Sequence, residues 1–422
     1  MEEVTFPTEV WLEIFKKIDR TNLMELRLVC HNFYDMIEYL LNKNPVWKKV
    51  TDEIILDECL EMTMQRAHPY VLVSQWNEIE DPVLWRGTYL SFKKWQKVLI
   101  NPHTKNTIVS TSNFGDISCI CTFDKYIAIG FDNGSIANYT IDNISQPFYL
   151  ANHGTRLIQV EFWYCNGDVL VVSVGDDFAL KFWDLQNKIE ITTSGFFANS
   201  INSGECRHFC IGNMGGILTS YDRVSKHTSI SPGPTLDLEL DYDELLIAHA
   251  VDGINMTAIV WQKGSTVEFF YLGVIEDGKL IDFTLAQVQE KNELPENLGA
   301  SVKRLTMLTV SLFFIIGENC IGSTSSYENE WYEYNLVQHF GCNVKSTALH
   351  AQILMFGLED GSIHLLYISH YDHVVELEER IKYSKKIEVD TEPIIDLTVL
   401  EVDKKPCIVA VTDQKVHLIN FF

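Results

Sequence analysis

Apolar side chains recur at helical spacing in the first fifty residues. Val10, Ile14 and Ile18 lie four residues apart, which places them on one face of a short helix. Pro7 suits the first position of that helix, because its missing N–H leaves no helix hydrogen bond unmade. The spacing predicts that the helical segment continues as far as Asn42 with a second apolar stripe, formed by Leu26, Cys30, Phe33 and Ile37. A segment of about fifty residues buries little surface, so we expect it to need a partner.

Residues 51–104 are predicted to form a helical linker. Asp81-Pro82 is typical of a helix start, because Asp caps the first turn and Pro fits the first helical position. Aromatic side chains then follow at spacings of four, three and three, which puts them on one helical face: Trp85, Tyr89, Phe92 and Trp95. We expect this face to pack against the next domain and to fix the angle between the two domains, not to bind a ligand.

From about residue 105 the pattern changes to short β-prone runs separated by Gly, Asp, Asn or Ser. A unit recurs, and its clearest copy spans residues 152–184. Weaker copies contain apolar runs at 127–130, 209–212, 245–248, 313–316, 354–357 and 408–411. Seven units divide residues 105–422 into about 45 residues each, near the ~40–45 typical of such repeats, although six or eight units remain open. Residues 107–111 are predicted to close the last unit, and residues 279–300 to be an insertion.

The N-terminal segment resembles an F-box in the order of its motifs. These are a hydrophobe-Pro-x-Glu start, an Ile-Phe pair, a Leu-rich middle, a Val-Cys step and a late Trp. The resemblance implies that residues 1–50 bind the Skp adaptor and, through it, a cullin. The residues implied to contact the adaptor are Phe6, Pro7, Glu9, Val10, Ile14, Phe15, Ile18, Leu23, Leu26, Val29, Cys30, Phe33 and Trp47. For any one of them, the alternative is that the side chain belongs to the segment's own core. Phe6 stands where the family usually has Leu, and His31-Asn32 where it has basic residues.

The clearest repeat copy resembles a WD repeat, since it runs from an Asn-His-Gly start through an Asp-Asp turn to a Trp-Asp ending. The resemblance implies that residues 105–422 fold as a WD-repeat β-propeller of about seven blades. It also implies a buried, structural hydrogen-bonded set made of His153, Ser173, Asp177 and Trp183. The predicted fold class is therefore a small all-α F-box with a helical linker, followed by an all-β propeller.

Composition and charge narrow the choice of partners. Of the 422 residues, 46% are hydrophobic, which suits a large globular core, and the net charge is −25, nearly all of it outside the first fifty residues. Such an excess repels phosphate backbones and acidic membranes, so we expect no nucleic-acid or membrane partner. A basic partner fits, although the acidic residues would also serve solubility alone. Without a targeting signal or a membrane-length apolar run, a cytoplasmic and/or nuclear location is expected.

The number of arginines in the propeller region indicates which kind of substrate segment it could recognise. The propeller region contains only Arg156, Arg207, Arg223, Arg304 and Arg380. Phosphate recognition favours clustered arginines, so we expect a substrate with a basic or apolar recognition segment in preference to a phosphorylated one.

Motifs for catalysis, phosphate binding or metal binding are missing from the sequence, so no catalytic residue, cofactor or metal site is predicted. The two resemblances imply a non-catalytic substrate receptor of an SCF-type ubiquitin ligase. Its F-box would dock the Skp adaptor and its propeller would bind the protein substrate for ubiquitination, which acts by proximity. The alternative is a WD-repeat interaction scaffold that binds the Skp adaptor without ubiquitin transfer.

Overall fold

The computed structural model describes residues 7–18, 22–23, 26–43, 46–71, 79–102, 105–165, 167–177, 179–191, 335–369, 376–402 and 405–421, together with the strands between residues 200 and 334. In this part of the chain, helices come first and strands follow. The helices before the first strand are α1 (Thr8–Phe15), α2 (His31–Asn42), α3 (Val46–Asp52), α4 (Asp57–Ala67) and α5 (Pro82–Val98). Two short helices lie between later strands, α6 (Leu336–Phe340) and α7 (Leu377–Ile381).

The helix boundaries follow local sequence signals. Helix α5 begins as predicted, since the Asp81 carboxylate accepts a hydrogen bond from the Val83 N–H at 2.8 Å and proline follows the cap. The predicted stripe of Leu26, Cys30, Phe33 and Ile37 does not lie on a single helix. Residues 27–29 form a turn, and Cys30 has an extended backbone (φ −160°, ψ 164°) that precedes the start of α2. Helix α3 crosses residue 50, where a domain boundary was predicted.

The strands form four-stranded antiparallel sheets that match propeller blades. The first four sheets along the chain are β2 (Ile117–Phe123), β3 (Tyr126–Phe131), β4 (Ser135–Thr140) and β5 (Tyr149–Asn152); β6 (Leu157–Cys165), β7 (Asp168–Gly175), β8 (Leu180–Asp184) and β9 (Ile189–Ile191); β10 (Ser200–Asn202), β11 (Phe209–Gly212), β12 (Ile217–Asp222) and β13 (Ser231–Asp237); and β14 (Glu244–Asp252), β15 (Met256–Lys263), β16 (Thr266–Gly273) and β19 (Val288–Glu293). A small hairpin of β17 (Ile275–Glu276) and β18 (Lys279–Leu280) precedes β19.

Three more sheets complete the described strands. They are β20 (Arg304–Thr309), β21 (Leu312–Ile316), β22 (Ile321–Ser325) and β23 (Tyr332–Tyr334); β24 (Val344–His350), β25 (Ile353–Leu358), β26 (Ser362–Tyr367) and β27 (Lys385–Glu388); and β28 (Asp396–Val402), β29 (Lys405–Val411) and β30 (Lys415–Asn420) with β1 (Lys105–Ser110). Strand β1 pairs antiparallel with β30, with Lys105 opposite Asn420. This pairing confirms the prediction that a strand near residue 107 closes the last blade.

The repeat assignment was accurate for most sheets. For five of the six weaker copies, the predicted apolar run lies in the second strand of a described sheet. The exception is the run at 245–248, which lies in the first strand, β14, because β14 and β15 are both rich in apolar residues. The prediction of an insertion at 279–300 was wrong, since residues 288–293 form β19 and pair with β16.

The linker and the propeller share one hydrophobic core. Trp85, Phe92 and Trp95 of α5 are buried in the same cluster as residues of β24, β25 and β28. The indole of Trp95 meets the imidazole of His350 edge-on, with ring centroids 4.7 Å apart. The Trp95 end of the aromatic face therefore packs against the propeller, whereas the ring of Tyr89 lies against Trp47 of α3, with centroids 5.2 Å apart.

Hydrogen bonds from the linker reach the hairpins that join first and second strands. The Arg66 guanidinium donates to the Thr122 carbonyl at 2.9 Å, and the Gln96 amide donates to the Ala351 carbonyl at 2.9 Å. Ala351 and Gln352 have positive φ angles of 48° and 62°, a turn conformation that costs non-glycine residues free energy. We name the side of the propeller formed by these hairpins the linker face. The opposite side, formed by the turns at residues 132–134, 176–177, 359–361 and 413–414, is the distal face.

Candidate functional site

Exposed apolar side chains gather on the N-terminal helical segment. Leu28 and Val29 are 77% and 65% exposed, and Val10 and Ile14 of α1 are about 40% exposed. Contiguous exposed apolar surface is typical of sites where proteins bind one another, whereas single exposed apolar residues are common. We name these four residues, with Pro7 and Cys30, the docking patch. Of the predicted adaptor-binding residues, the structure places the following at the surface: Pro7, Glu9, Val10, Ile14, Val29 and Cys30.

The remaining predicted adaptor-binding residues lie beneath or beside this patch. Phe15, Leu23 and Trp47 are buried, whereas Ile18, Leu26 and Phe33 are partly buried against the same core. The Phe15 and Phe33 rings meet edge-on with centroids 5.0 Å apart. Phe6 lies outside the described residues. In this structure the buried side chains support the patch, and direct contact of any of the set with an adaptor stays a prediction.

A buried ion pair joins the N-terminal helices to the linker. Arg86 of α5 donates two hydrogen bonds to the Glu38 carboxylate of α2, at 2.6 and 2.9 Å, and Arg27 donates a third at 2.7 Å. Arg86 is only 7% exposed, so this two-pronged contact is shielded from water. Hydrogen bonding from Arg86, against the opposing effect of burial, lowers the pKa of Glu38, and the carboxylate therefore stays charged.

A second buried carboxylate joins the other half of α5 to the propeller. Glu401 of β28 accepts hydrogen bonds from the Trp95 indole N–H at 2.9 Å and from the Ser91 hydroxyl, and His350 Nε2 lies 3.8 Å from the same oxygen. Burial tends to raise the pKa of Glu401, but His350, Ser91 and Trp95 together lower it overall. Helix α5 is thus held by polar contacts at both ends: to α2 through Arg86, and to β28 through Ser91 and Trp95.

The predicted structural set is assembled within the sheet of β6–β9. The Ser173 hydroxyl lies 2.8 Å from His153 Nδ1 and accepts a hydrogen bond from the Trp183 indole N–H at 2.8 Å. Asp177 Oδ1 is 3.8 Å from His153 Nε2, too far for a hydrogen bond. Burial, with a further contribution from Lys181, lowers the pKa of His153, so the imidazole is neutral near pH 7. His153, Ser173 and Trp183 are buried and joined by hydrogen bonds, which suits a structural role, whereas Asp177, expected to be buried with them, has a side chain that is 45% exposed.

A cavity of about 860 Å³ opens on the distal face. Its lining includes three carboxylates, Asp116, Asp132 and Asp413, and two basic side chains, Arg156 and Lys345. The sequence reasoning did not single out the carboxylates. The sequence did contain a signal for two of these carboxylates. Asp132 and Asp413 each follow the second strand of a repeat copy and therefore lie on the same face of the propeller.

The described residues contain no cluster of three or more His, Cys, Asp or Glu side chains that could hold a metal ion. None of the described helices has the length and apolar character needed to cross a bilayer.

Comparison with known proteins gives a family match in the N-terminal helices and one curated relative. The F-box domain model matches residues 5–44. Cell division control protein 4 of Candida albicans is 23% identical over 142 residues, which are 32% of this chain and 19% of that protein. The chain thus matches about a fifth of that relative's length.

Solved structures show the fold of the remainder. The RRP9 WD40 repeats superpose with a TM-score of 0.53 at 9% identity, covering 73% of this chain and 95% of that one. U3-55K gives a TM-score of 0.53 at 9% identity, covering 76% and 100%. Sqt1 of Saccharomyces cerevisiae gives 0.50 at 10% identity, covering 76% and 99%. The chain therefore contains an F-box match at residues 5–44, and its sheets share the fold of these solved structures, of which one is described as WD40 repeats.

Proposed function

We propose that this chain is a substrate receptor of an SCF-type ubiquitin ligase. The docking patch binds the Skp adaptor, which connects the chain to a cullin, and the propeller binds a protein substrate. The chain itself is non-catalytic. Its contribution is to hold the substrate near the ubiquitin-conjugating enzyme, which raises the effective concentration of the reacting groups. It acts in the cytoplasm and/or the nucleus.

The observation that carries this proposal is the docking patch within the F-box match. Leu28 and Val29 lie in the turn that precedes α2, and Val10 and Ile14 lie on α1, so two separate segments contribute apolar surface. Removing such side chains from water favours association with another protein. The patch is therefore suited to a stable protein contact.

The polar contacts of α5 give the receptor proposal a second support. A receptor that works by proximity needs a fixed arrangement of its adaptor-binding and substrate-binding parts. Glu38 and Glu401 hold opposite halves of a helix whose 17 residues extend about 25 Å. The substrate expected for this propeller carries a basic or apolar recognition segment, because carboxylates outnumber basic side chains at the distal cavity.

Co-expression with the Skp adaptor tests the proposal. The wild-type chain should elute with the adaptor as a stoichiometric complex in size-exclusion chromatography. The triple variant Val10→Ala, Ile14→Ala, Val29→Ala should lose the complex, because it shortens exposed side chains without opening the core. A reconstituted ligase would then be assayed for ubiquitin transfer to a captured substrate.

The matched control is Val83→Ala, Ile100→Ala, Ile189→Ala, which shortens equally exposed side chains outside the F-box. It should keep the adaptor complex. Equal binding by both triple variants would contradict the assignment of the docking patch. Adaptor binding without any ubiquitin transfer to bound proteins would favour the scaffold alternative.

A further inference from the structure

We propose that the cavity on the distal face binds a cationic side chain, lysine or arginine, of the substrate's recognition segment, with an apolar neighbour of that side chain against the cavity wall. This proposal rests on the proposed receptor function and names the substrate chemistry of its propeller. The volume of about 860 Å³ lies within the range of about 300–1,000 Å³ that is typical of ligand sites.

β-Bulges shape the mouth of the cavity. The pairing of β2 with β3 shifts register between Ile117 and Cys119, which leaves Ser118 as the extra residue. The pairing of β24 with β25 shifts in the same way, so Lys345 has no opposite residue in β25. A bulge redirects the side chain of its extra residue. Ser118 and Lys345 both line the cavity, so the local departures from regular pairing contribute directly to it.

The cavity is accessible from one side of the propeller. Its lining residues Ile117 and Lys345 belong to first strands, which surround the central channel of a propeller. At the other end of these strands, α4 contacts β20, β24 and β28, and Arg66 of α4 donates to the carbonyl of Thr122 in β2. The linker therefore covers the linker face of the channel, and a ligand enters from the distal face, away from the linker.

The carboxylates of the cavity are held in place by neighbouring groups. Asp116 accepts a hydrogen bond from the Gln414 side-chain amide at 2.9 Å, and Asp132 accepts one from the Asp116 N–H at 3.2 Å. The Asp413 carbonyl accepts the Ile117 N–H at 2.6 Å, which fixes the backbone that carries the third carboxylate. Acceptors held in advance by the fold bind a cation without a further ordering cost.

The spacing of these groups suits an organic cation. The described residues do not bring three acidic groups close enough to hold a metal ion. A guanidinium group presents five donors and an ammonium group three, so either can satisfy oxygens that are spread over a cavity rim. Ile117 and Ile395 add apolar wall, which the methylene stem of lysine or arginine, and an apolar neighbour, can cover.

A phosphate is a poorer fit for the same cavity. The Lys345 ammonium lies 3.5 Å from the Glu359 carboxylate, so part of its charge is already compensated. Arg156 is the other basic side chain in the lining, and no carboxylate of the described residues forms an ion pair with it. Recognition of a phosphorylated segment uses several converging arginines, whereas this cavity supplies one beside three carboxylates.

The test measures binding of short fluorescent peptides to the full chain, with and without the Skp adaptor. The peptides carry the same apolar flanks and a central arginine, lysine, citrulline or phosphoserine. Arginine and lysine peptides should bind at least about tenfold more tightly than the neutral citrulline peptide. Asp413→Asn should weaken arginine-peptide binding about tenfold, since it removes one charge and keeps the side-chain shape.

The matched control is Asp176→Asn, which removes a charge from an exposed turn of the same face outside the cavity lining. It should change binding by less than about twofold. Arg156→Gln should strengthen arginine-peptide binding, because it removes a like charge. The proposal would be overturned if the arginine and citrulline peptides bound equally well. It would also be overturned if the phosphoserine peptide bound most tightly and lost that binding in Arg156→Gln. Adaptor binding is scored separately by gel filtration, so failure of the receptor function is distinguishable.

Discussion

Replacing Glu401 with alanine tests how strongly α5 holds the propeller. The change leaves the Trp95 indole N–H and the Ser91 hydroxyl buried without their charged acceptor. Each unsatisfied donor costs about 1–3 kcal/mol, so loss of the acceptor of two donors should lower the free energy of unfolding by about 2–6 kcal/mol. For a propeller of this size, that loss corresponds to a fall of about 3–9 °C in Tm.

Urea unfolding and limited proteolysis together measure this effect. The variant should unfold at lower urea concentration, and the segment after α5 should be cleaved faster, because α5 separates more often from β28. Trp95→Phe removes one of the two donors, so its cost should be smaller in a Glu401→Ala background than in the wild type. Glu190→Ala, which removes an exposed carboxylate, is the control. A cost of Glu401→Ala below about 0.5 kcal/mol, or strict additivity with Trp95→Phe, would refute the reasoning.

The same carboxylate predicts a dependence on pH. Because the pKa of Glu401 in the folded chain is below its ordinary value of 4.5, the carboxylate contributes stability that is present above that value. The contribution is lost as the pH falls through the lowered pKa. Unfolding curves recorded between pH 7 and pH 3 should therefore show a smaller loss of stability in Glu401→Ala than in the wild type.

Three other changes have defined outcomes. Ser173→Ala should cost about 1–3 kcal/mol in urea unfolding, because the buried Trp183 indole N–H loses its acceptor. Arg86→Leu should cost about 3–5 kcal/mol by the same assay, because Glu38 loses a buried cationic partner, although Arg27 retains part of the contact. Gly361→Ala should fold poorly and lower Tm, because φ is +79° and an added Cβ would collide with a backbone carbonyl.

Matched substitutions separate these effects from general damage. Ser112→Ala and Lys97→Leu change exposed residues and should leave stability within about 0.5 kcal/mol of the wild type. Gly154→Ala has a positive φ of 98° with nothing within 4 Å of the added Cβ, so it should be milder than Gly361→Ala. If the two glycine variants had equal Tm values, the collision would not be the cause.

Sequence periodicity was sufficient to predict the helices and the repeated strands of most blades. The spacing of the aromatic residues in α5 fixes which of them share a face, and the packing follows from that face alone. Periodicity could not decide between Ile14 and Phe15, which are neighbours on α1. Ile14 is 38% exposed and Phe15 is buried, and the difference depends on where α2 packs.

The distal cavity as a whole was not predicted because its parts are distant in sequence. Asp116 and Asp132 meet where β2 pairs with β3, but Asp413 joins them only when the pairing of β1 with β30 closes the last sheet beside the first. The bulges at Ser118 and Lys345 likewise depend on strand pairing, and the local sequence does not predict them.

The pairing of β1 with β30 has a consequence for synthesis on the ribosome. Strand β1 leaves the ribosome early, yet its partner is encoded some 300 residues later. At roughly 5–20 residues per second, β1 waits about 15–60 s with unpaired backbone groups on both edges. During this interval the strand is open to chaperones and to mispairing with a neighbouring nascent chain. A chain that stops before β30 cannot form this pairing, so truncated products should be recognised by the cell as unfolded protein.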